Sequence, residues 1–225
     1  MSWLRLEITP DLEEVRSRVK ARKRDEVKGL SEALLEEAQG LIRPKVVYDF
    51  YSIKEINRDR IVFEGDWALQ WEAQSPCFSF KGIRKAALLA GTIGPYLEKR
   101  VEELFRERKP LEAFLLDEIG SAAVEILLDK ALEFIDLIAR EEGFRAGTPM
   151  SPGMLGLPME VQKEIVTRLP VKEIGLSITT GGMLVPRKSF TTLIGIGENL
   201  VKVDKKEICK ICRLHDRCPY RKDGR

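Results

Sequence analysis

The sequence of 225 residues predicts an α+β fold. Three observations predict it. Strand-like alternation is gathered between Val46 and Phe80, a wide apolar stripe at helical spacing follows Pro110, and β-runs lie between Ile174 and Gly197. At this length one substantial core with terminal appendages is expected. The chain divides into a helical N-terminal extension (1–45), one α+β domain (46–203) and a basic, cysteine-rich tail (204–225).

Taken in order, Thr9 caps a helix with Pro10 at its first position and Asp11, Glu13 and Glu14 at the positive end of its dipole. Leu12, Val15 and Val19, then Val27, Leu30, Leu34, Leu41 and Ile42, keep helical spacing around a charged interruption from Lys20 to Glu26, and Pro44 ends the run. A β-meander follows: Val46–Ile53, Arg60–Glu64, a Gly65-Asp66 turn, Trp67–Trp71 and Cys77–Phe80. Ile83–Thr92, apolar and rich in small residues, suits a buried element. Ile93-Gly94-Pro95 then breaks the chain before a helix from Tyr96 whose apolar face is Leu97, Val101, Leu104 and Phe105. The long helix after Pro110 carries Leu115, Ile119, Ala122, Ile126 and Ile135 among its apolar positions and stops near Gly143. Ile174–Val185 reads as one long strand interrupted by Gly181 and Gly182.

Charge excludes some functions. With 38 Lys and Arg against 36 Asp and Glu, the net charge of +2 lacks the uncompensated basic excess of a nucleic-acid binder. The abundance of charged residues beside a single His fits a thermophile's surface. No stretch approaches the roughly 20 apolar residues of a membrane span, the start has no secretory pattern, and the crowding of cysteines near the end fits a reducing cytoplasm.

The motifs lie between Thr148 and Gly197, as T-P-M-S-P-G-M-L-G-L-P, a short amphipathic segment, and I-G-L-S-I-T-T-G-G-M-L-V-P-R-K-S-F-T-T-L-I-G-I-G. Ser151-Pro152-Gly153 is either an ordinary turn or one whose glycine lets a ligand reach the main chain. Gly181-Gly182 marks either a close approach by a ligand, or a hairpin or bulge with Met183 in the core. Upstream, Leu116-Asp117-Glu118-Ile119-Gly120-Ser121-Ala122-Ala123-Val124-Glu125 lies on the long helix. In this order, over roughly residues 80–197, the chain resembles the activation (reactivation) domain of cobalamin-dependent methionine synthase.

That resemblance implies a twisted, mainly antiparallel sheet flanked by helices, and a protein that binds S-adenosylmethionine to support reductive methylation of cob(II)alamin. Ser151 and Gly153 would hold the methyl donor through main-chain atoms, Met154 would follow directly, Glu125 would sit near the cationic end, and Gly182 and Met183 would face the corrinoid. The implied partners are a cobalamin-binding methionine synthase subunit and an electron donor such as flavodoxin or ferredoxin. Cobalt being the nucleophile, no acid-base pair is needed, and the lone histidine, His215, stands in the tail without a triad. Three positions depart from the family: Pro149 replaces an arginine, Met154 a tyrosine, and about Ile194 a further tyrosine on the last strand. The missing guanidinium would have to come from Arg145 or another base.

The tail lies outside this resemblance. Cys209, Cys212, His215 and Cys218 recur every three residues among lysines and arginines, which favour thiolates. Three thiolates with His215 would suit zinc, and thiolates joined by Cys77 an iron–sulfur cluster; a reduced tail without metal, or a basic clamp for an acidic partner, fits the spacing as well. The alternative function is therefore a redox or interaction adaptor that works through the tail, with methyl-donor binding lost.

Overall fold

The computed structural model describes residues 12–22, 32–57, 59–70, 82–154, 157–200, 202–210, 212 and 215–217. Helices α1 (Leu12–Arg22) and α2 (Glu32–Leu41) lead into strands β1 (Lys45–Ile56), β2 (Arg60–Phe63), β3 (Trp67–Gln70) and β4 (Ile83–Thr92). After α3 (Tyr96–Arg106) and α4 (Pro110–Glu141) come β5 (Arg145–Met150), α5 (Val161–Arg168), a 3₁₀ turn (Val171–Ile174), β6 (Ser177–Ile178), β7 (Leu184–Val185), β8 (Ser189–Gly197) and α6 (Lys205–Lys210). The expected cap at Thr9 and the strand Cys77–Phe80 lie outside the described residues.

Six strands form one sheet in the order β3-β2-β1-β4-β8-β5, every pair antiparallel. Side chains alternate between its faces, as strand geometry requires. Val46 and Tyr48, Ala87 and Leu89, and Ile194 and Ile196 pack under α1–α4, while Val47, Ala86, Leu88, Ala90 and Leu193 pack under α5 and the 3₁₀ turn. A sheet covered on both faces explains the unbroken apolar run of β4. The final G-I-G has a steric cause: a Cβ on Gly195 would lie 2.5 Å from Ile83 Cδ1, and one on Gly197 1.9 Å from the Gly82 carbonyl oxygen.

Helix α4 is the spine. Its 32 residues span about 48 Å. Val15 and Val19 of α1 and Leu34, Leu35 and Ala38 of α2 are buried in the same apolar cluster as Leu116, Ile119 and Ile126 of α4, so the N-terminal helices share the main core. Arg18 of α1 reaches Asp129 (3.0 Å) as well as Glu14 (2.9 Å), and Arg100 of α3 reaches Glu37 of α2 (2.7 Å). Among the described residues no helix is long and apolar enough to cross a membrane.

The run Ile174–Val185, interrupted at Gly181 and Gly182, is a hairpin, one of the two readings the sequence allowed. Gly175 at φ +74° ends the 3₁₀ turn, and β6 and β7 pair Ser177 with Val185 and Ile178 with Leu184 around the loop Thr179–Met183. Thr179 N–H donates to Met183 C=O (2.8 Å), Gly182 N–H to Thr179 C=O (2.9 Å) and Met183 N–H to Thr179 Oγ1 (3.0 Å), so local bonds close the loop. Met183 is 60% exposed, not in the core.

Asp136 fastens α4 to β5, accepting a hydrogen bond from Ala146 N–H (3.1 Å) beside Arg140 and Lys202. Burial opposes its charge, but the Ala146 N–H, Arg140 and Lys202 together hold its carboxyl below the usual range. A depressed folded-state value means stabilisation that is present above the unfolded value of about 3.9 and is lost as pH falls through the folded value. Asp136→Asn, which keeps an acceptor but drops the charge, should lower stability at neutral pH by about 1–2 kcal/mol. It should also flatten the acid limb of urea midpoint against pH; an unchanged acid slope would contradict this assignment.

Candidate functional site

The turn after β5 forms because Pro152 fixes one φ and Gly153 adopts φ +81°, where L side chains are strained. Met154 N–H donates to Ser151 C=O (3.0 Å) and Gly153 N–H to Leu157 C=O (2.8 Å). A Cβ on Gly153 would lie 2.7 Å from Met159 Sδ, so the glycine serves both the backbone and the packing of Met159 across it. Met154 and Met159 are 54% and 51% exposed.

Helix α5 joins this turn to the glycine loop. Its N-terminal approach begins at Met159, and Gln162, in its first turn, donates from Nε2 to Gly182 C=O and accepts from Thr191 Oγ1 of β8 (3.3 Å). Lys163 Nζ reaches Thr180 C=O (3.1 Å). Gly182, at φ +86°, is held within this arrangement. Ser151, Gly153, Met154, Gly182 and Met183 thus belong to one linked region, with exposed Met154, Met159, Met183 and Val185 around it.

A second joint ties the loop to α4. Lys188, in the P-R-K-S segment after β7, places its ammonium 2.7 Å from Ser121 Oγ and 2.8 Å from Asp117 Oδ1, with only 14% of the side chain exposed. Its N–H donates to Glu98 of α3, and its C=O accepts from Ile93 N–H (3.1 Å). Gly120 is where Leu97 and the Lys188 stem press against α4; a Cβ there would meet Leu97 Cδ2 at 2.7 Å. The L-D-x-I-G-S run of the helix and the P-x-x-S segment are therefore physical partners.

Glu125 lies on α4, exposed, 3.9 Å from Arg18 of α1. From the shared anchor Asp136–Ala146, the eleven helical residues back to Glu125 and the five strand residues on to Ser151 each cover roughly 17 Å, so the two stand at one level of the α4–β5 hairpin. Arg145 does not. It begins β5, 3.9 Å from Asp136 and about 20 Å of strand away from the turn, so it cannot supply the missing guanidinium there. Pro149 and Ile194, two of the departures from the family, are Cα partners across the β5–β8 ladder.

In the tail, Cys212 N–H donates to Cys209 C=O (3.2 Å) and His215 N–H to Cys212 C=O (2.9 Å), so the three residues follow one another by short turns. Cys209 and Cys212 are half-buried, Cys77 and Cys218 lie outside the described residues, and among the described residues no group of three His, Cys, Asp or Glu is gathered to hold a metal. The tail's approach runs beside β5, with Val203 N–H donating to Thr148 Oγ1 (2.8 Å). Sequence reasoning missed Gln162, Lys163 and Met159; the only signal was their position between the two glycine motifs.

No protein-family model matches the chain, and no curated protein matches it. The fold is that of a known class nonetheless: an antiparallel sheet with helices on both faces, seen in solved structures. One of these, the crystal structure of the MetH reactivation domain bound to AdoHcy, superposes with a TM-score of 0.59 at 11% identity, over 93% of this chain and 84% of that one. The α+β architecture read from the sequence is thus the observed one.

Substitution at Gly153 is expected to act through the backbone first. Gly153→Ala should cost about 1–2 kcal/mol, while Gly153→Asn, whose side chain tolerates left-handed φ, should cost less. Thermal midpoints of the two variants check the order; a reversed order would mean that the contact with Met159 outweighs the dihedral.

Proposed function

We propose that this chain is an activation module for corrinoid-dependent methyl transfer. It binds S-adenosylmethionine at the Ser151–Met154 turn, with Glu125 toward the cationic end, and presents Gly182 and Met183 to the corrinoid of a cobalamin-binding methionine synthase subunit. The observation that carries this reading is the linkage of turn and glycine loop through α5, on a fold shared with a MetH reactivation domain whose own crystal structure contains AdoHcy.

The methyl group leaves the donor's sulfonium sulfur and bonds to the cobalt of the acceptor, once an electron donor of the flavodoxin or ferredoxin class has reduced that acceptor. The chain's own residues supply position and field. The turn offers main-chain groups at Ser151 and Gly153 beside the Met159 thioether that covers the glycine, Glu125 offers a carboxylate to the sulfonium and ammonium, and the thioethers of Met154 and Met183 give soft, apolar contact. Chemistry of this kind asks for no nucleophile from the protein, in accord with the site residues.

Two glycines need different probes here. Gly182 is strained on substitution by its dihedral, whereas Gly181 is not in the left-handed region and a Cβ there meets only Thr179 Oγ1, at 3.9 Å. Gly181→Phe is therefore the clean steric test. Calorimetry should detect S-adenosylmethionine binding to the chain, weakened about twofold to fivefold in Glu125→Gln, as for a solvent-exposed charge pair. The chain alone should not consume the donor; consumption should need a cob(II)alamin-loaded partner and a reductant, and Gly181→Phe should slow it while leaving donor affinity unchanged. Absence of donor binding, or methyl transfer equally fast without the chain, would overturn the proposal.

A further inference from the structure

We propose that Gln162 is a positioning residue: its buried amide fixes the Thr179–Met183 loop against the sheet, in register with the Ser151–Met154 turn. The inference rests on the function proposed above for its consequence, but its structural half stands on the chain alone.

The loop's bonds from Thr179 to Gly182 and Met183 are internal and give it a shape without giving it a place. Its ties to the body of the protein come from α5. Lys163 contributes an exposed ammonium at Thr180 C=O, and a contact of that kind, screened by water, stabilises little. Gln162 is different. The residue is 8% exposed, its Nε2 donates to Gly182 C=O, and its Oε1 accepts from Thr191 Oγ1 on β8, a residue 2% exposed. A buried amide satisfied at both ends has one orientation, because the nitrogen must face the carbonyl and the oxygen the hydroxyl. Gly182 is thereby tied through one side chain to β8, an interior strand of the sheet. Three residues earlier on the same segment, Met159 covers Gly153 of the turn. The first turn of α5 and its approach therefore set the distance between the two halves of the proposed site, and Gln162 is the fixed end of that link.

Hydrogen exchange of the isolated chain tests the structural half. In Gln162→Met, of similar size but without the amide, the Gly182 and Met183 amides should exchange about tenfold faster or more, as expected for loss of one buried hydrogen bond, while amides of β4 and β8 keep their protection. Gln162→Glu should behave alike at pH 8, where a carboxylate faces the Gly182 carbonyl. Its protection should return toward pH 5 if protonation restores a donor, with the Lys163 ammonium from α5 as the charged neighbour working against protonation. Lys163→Met should change exchange less than twofold. Should Gln162→Met disturb the core, Thr191→Val, which removes only the hydroxyl that holds Oε1, should still speed loop exchange with the core intact.

In the reconstituted methyl transfer, Gln162→Met should raise the KM for the corrinoid partner severalfold and leave the dissociation constant for S-adenosylmethionine unchanged. Loop exchange that matches wild type in both Gln162→Met and Thr191→Val would overturn the positioning role. Faster loop exchange without any methyl transfer in the wild type would instead uphold the positioning role and sink the proposed function.

Discussion

The part-buried ammonium of Lys188 is the interaction on which the arrangement of the candidate site depends. Asp117 and Ser121 hold it from α4, Glu98 of α3 takes the N–H of the same residue, and Ile93 at the end of β4 donates to its carbonyl. One residue thus ties the P-R-K-S segment to two helices and to the sheet. With only part of the lysine reaching water, Asp117 and Ser121 replace some of the hydration its ammonium loses. The same packing forbids a side chain at Gly120, where Leu97 and the lysine stem press against the helix. Acid, glycine and hydroxyl at positions 117, 120 and 121 each answer to a different part of one neighbour.

Much of the architecture could be read from period and punctuation. The stripe of α4 announced itself because one broad face is apolar and the other is not, and Ile93-Gly94-Pro95 announced the start of α3. Strand β4 could not be assigned from period, since both of its faces are buried and the alternation that betrays a strand is absent. The glycine pair was legible as an interruption with a hairpin among its readings, but not with Met183 outside the core. What decides the outcome is the Thr179 hydroxyl on Met183 N–H together with the Gln162 amide on Gly182, and the second of these partners lies about twenty residues away in sequence. The site divides in the same way. Ser151, Gly153 and Gly182 carry local signals of turn and breaker, whereas the roles of Met159, Gln162 and Lys188 exist only once helices and strands have met.

The departures at Pro149 and Ile194 bear on what the site can recognise. They stand opposite each other in the ladder: a prolyl ring faces an isoleucine that is 1% exposed, and the pair brings no polar side chain to that rung. Arg145 cannot restore it, because Asp136 lies beside it at the other end of β5. Arg145 therefore offers no guanidinium at this rung. In the function proposed above, the described groups left to contribute at the turn are its main chain, the exposed Met154 and Met159 thioethers and Glu125.

That redistribution matters for Glu125 itself. The carboxylate stands level with the turn yet lies beside Arg18 of α1, which Glu14 and Asp129 also approach. Arg18 lies 3.9 Å from Glu125 and 3.0 Å from Asp129, so Asp129 is the closer of these two partners. In the function proposed above, a sulfonium or ammonium at the turn would join Arg18 as a cation near Glu125, and attraction between solvent-exposed charges of this kind is modest. The N-terminal helices thus do two things at once: Val15 and Val19 complete the core over α4, and Arg18 gathers the carboxylates of Glu14, Glu125 and Asp129 at the seam between α1 and α4.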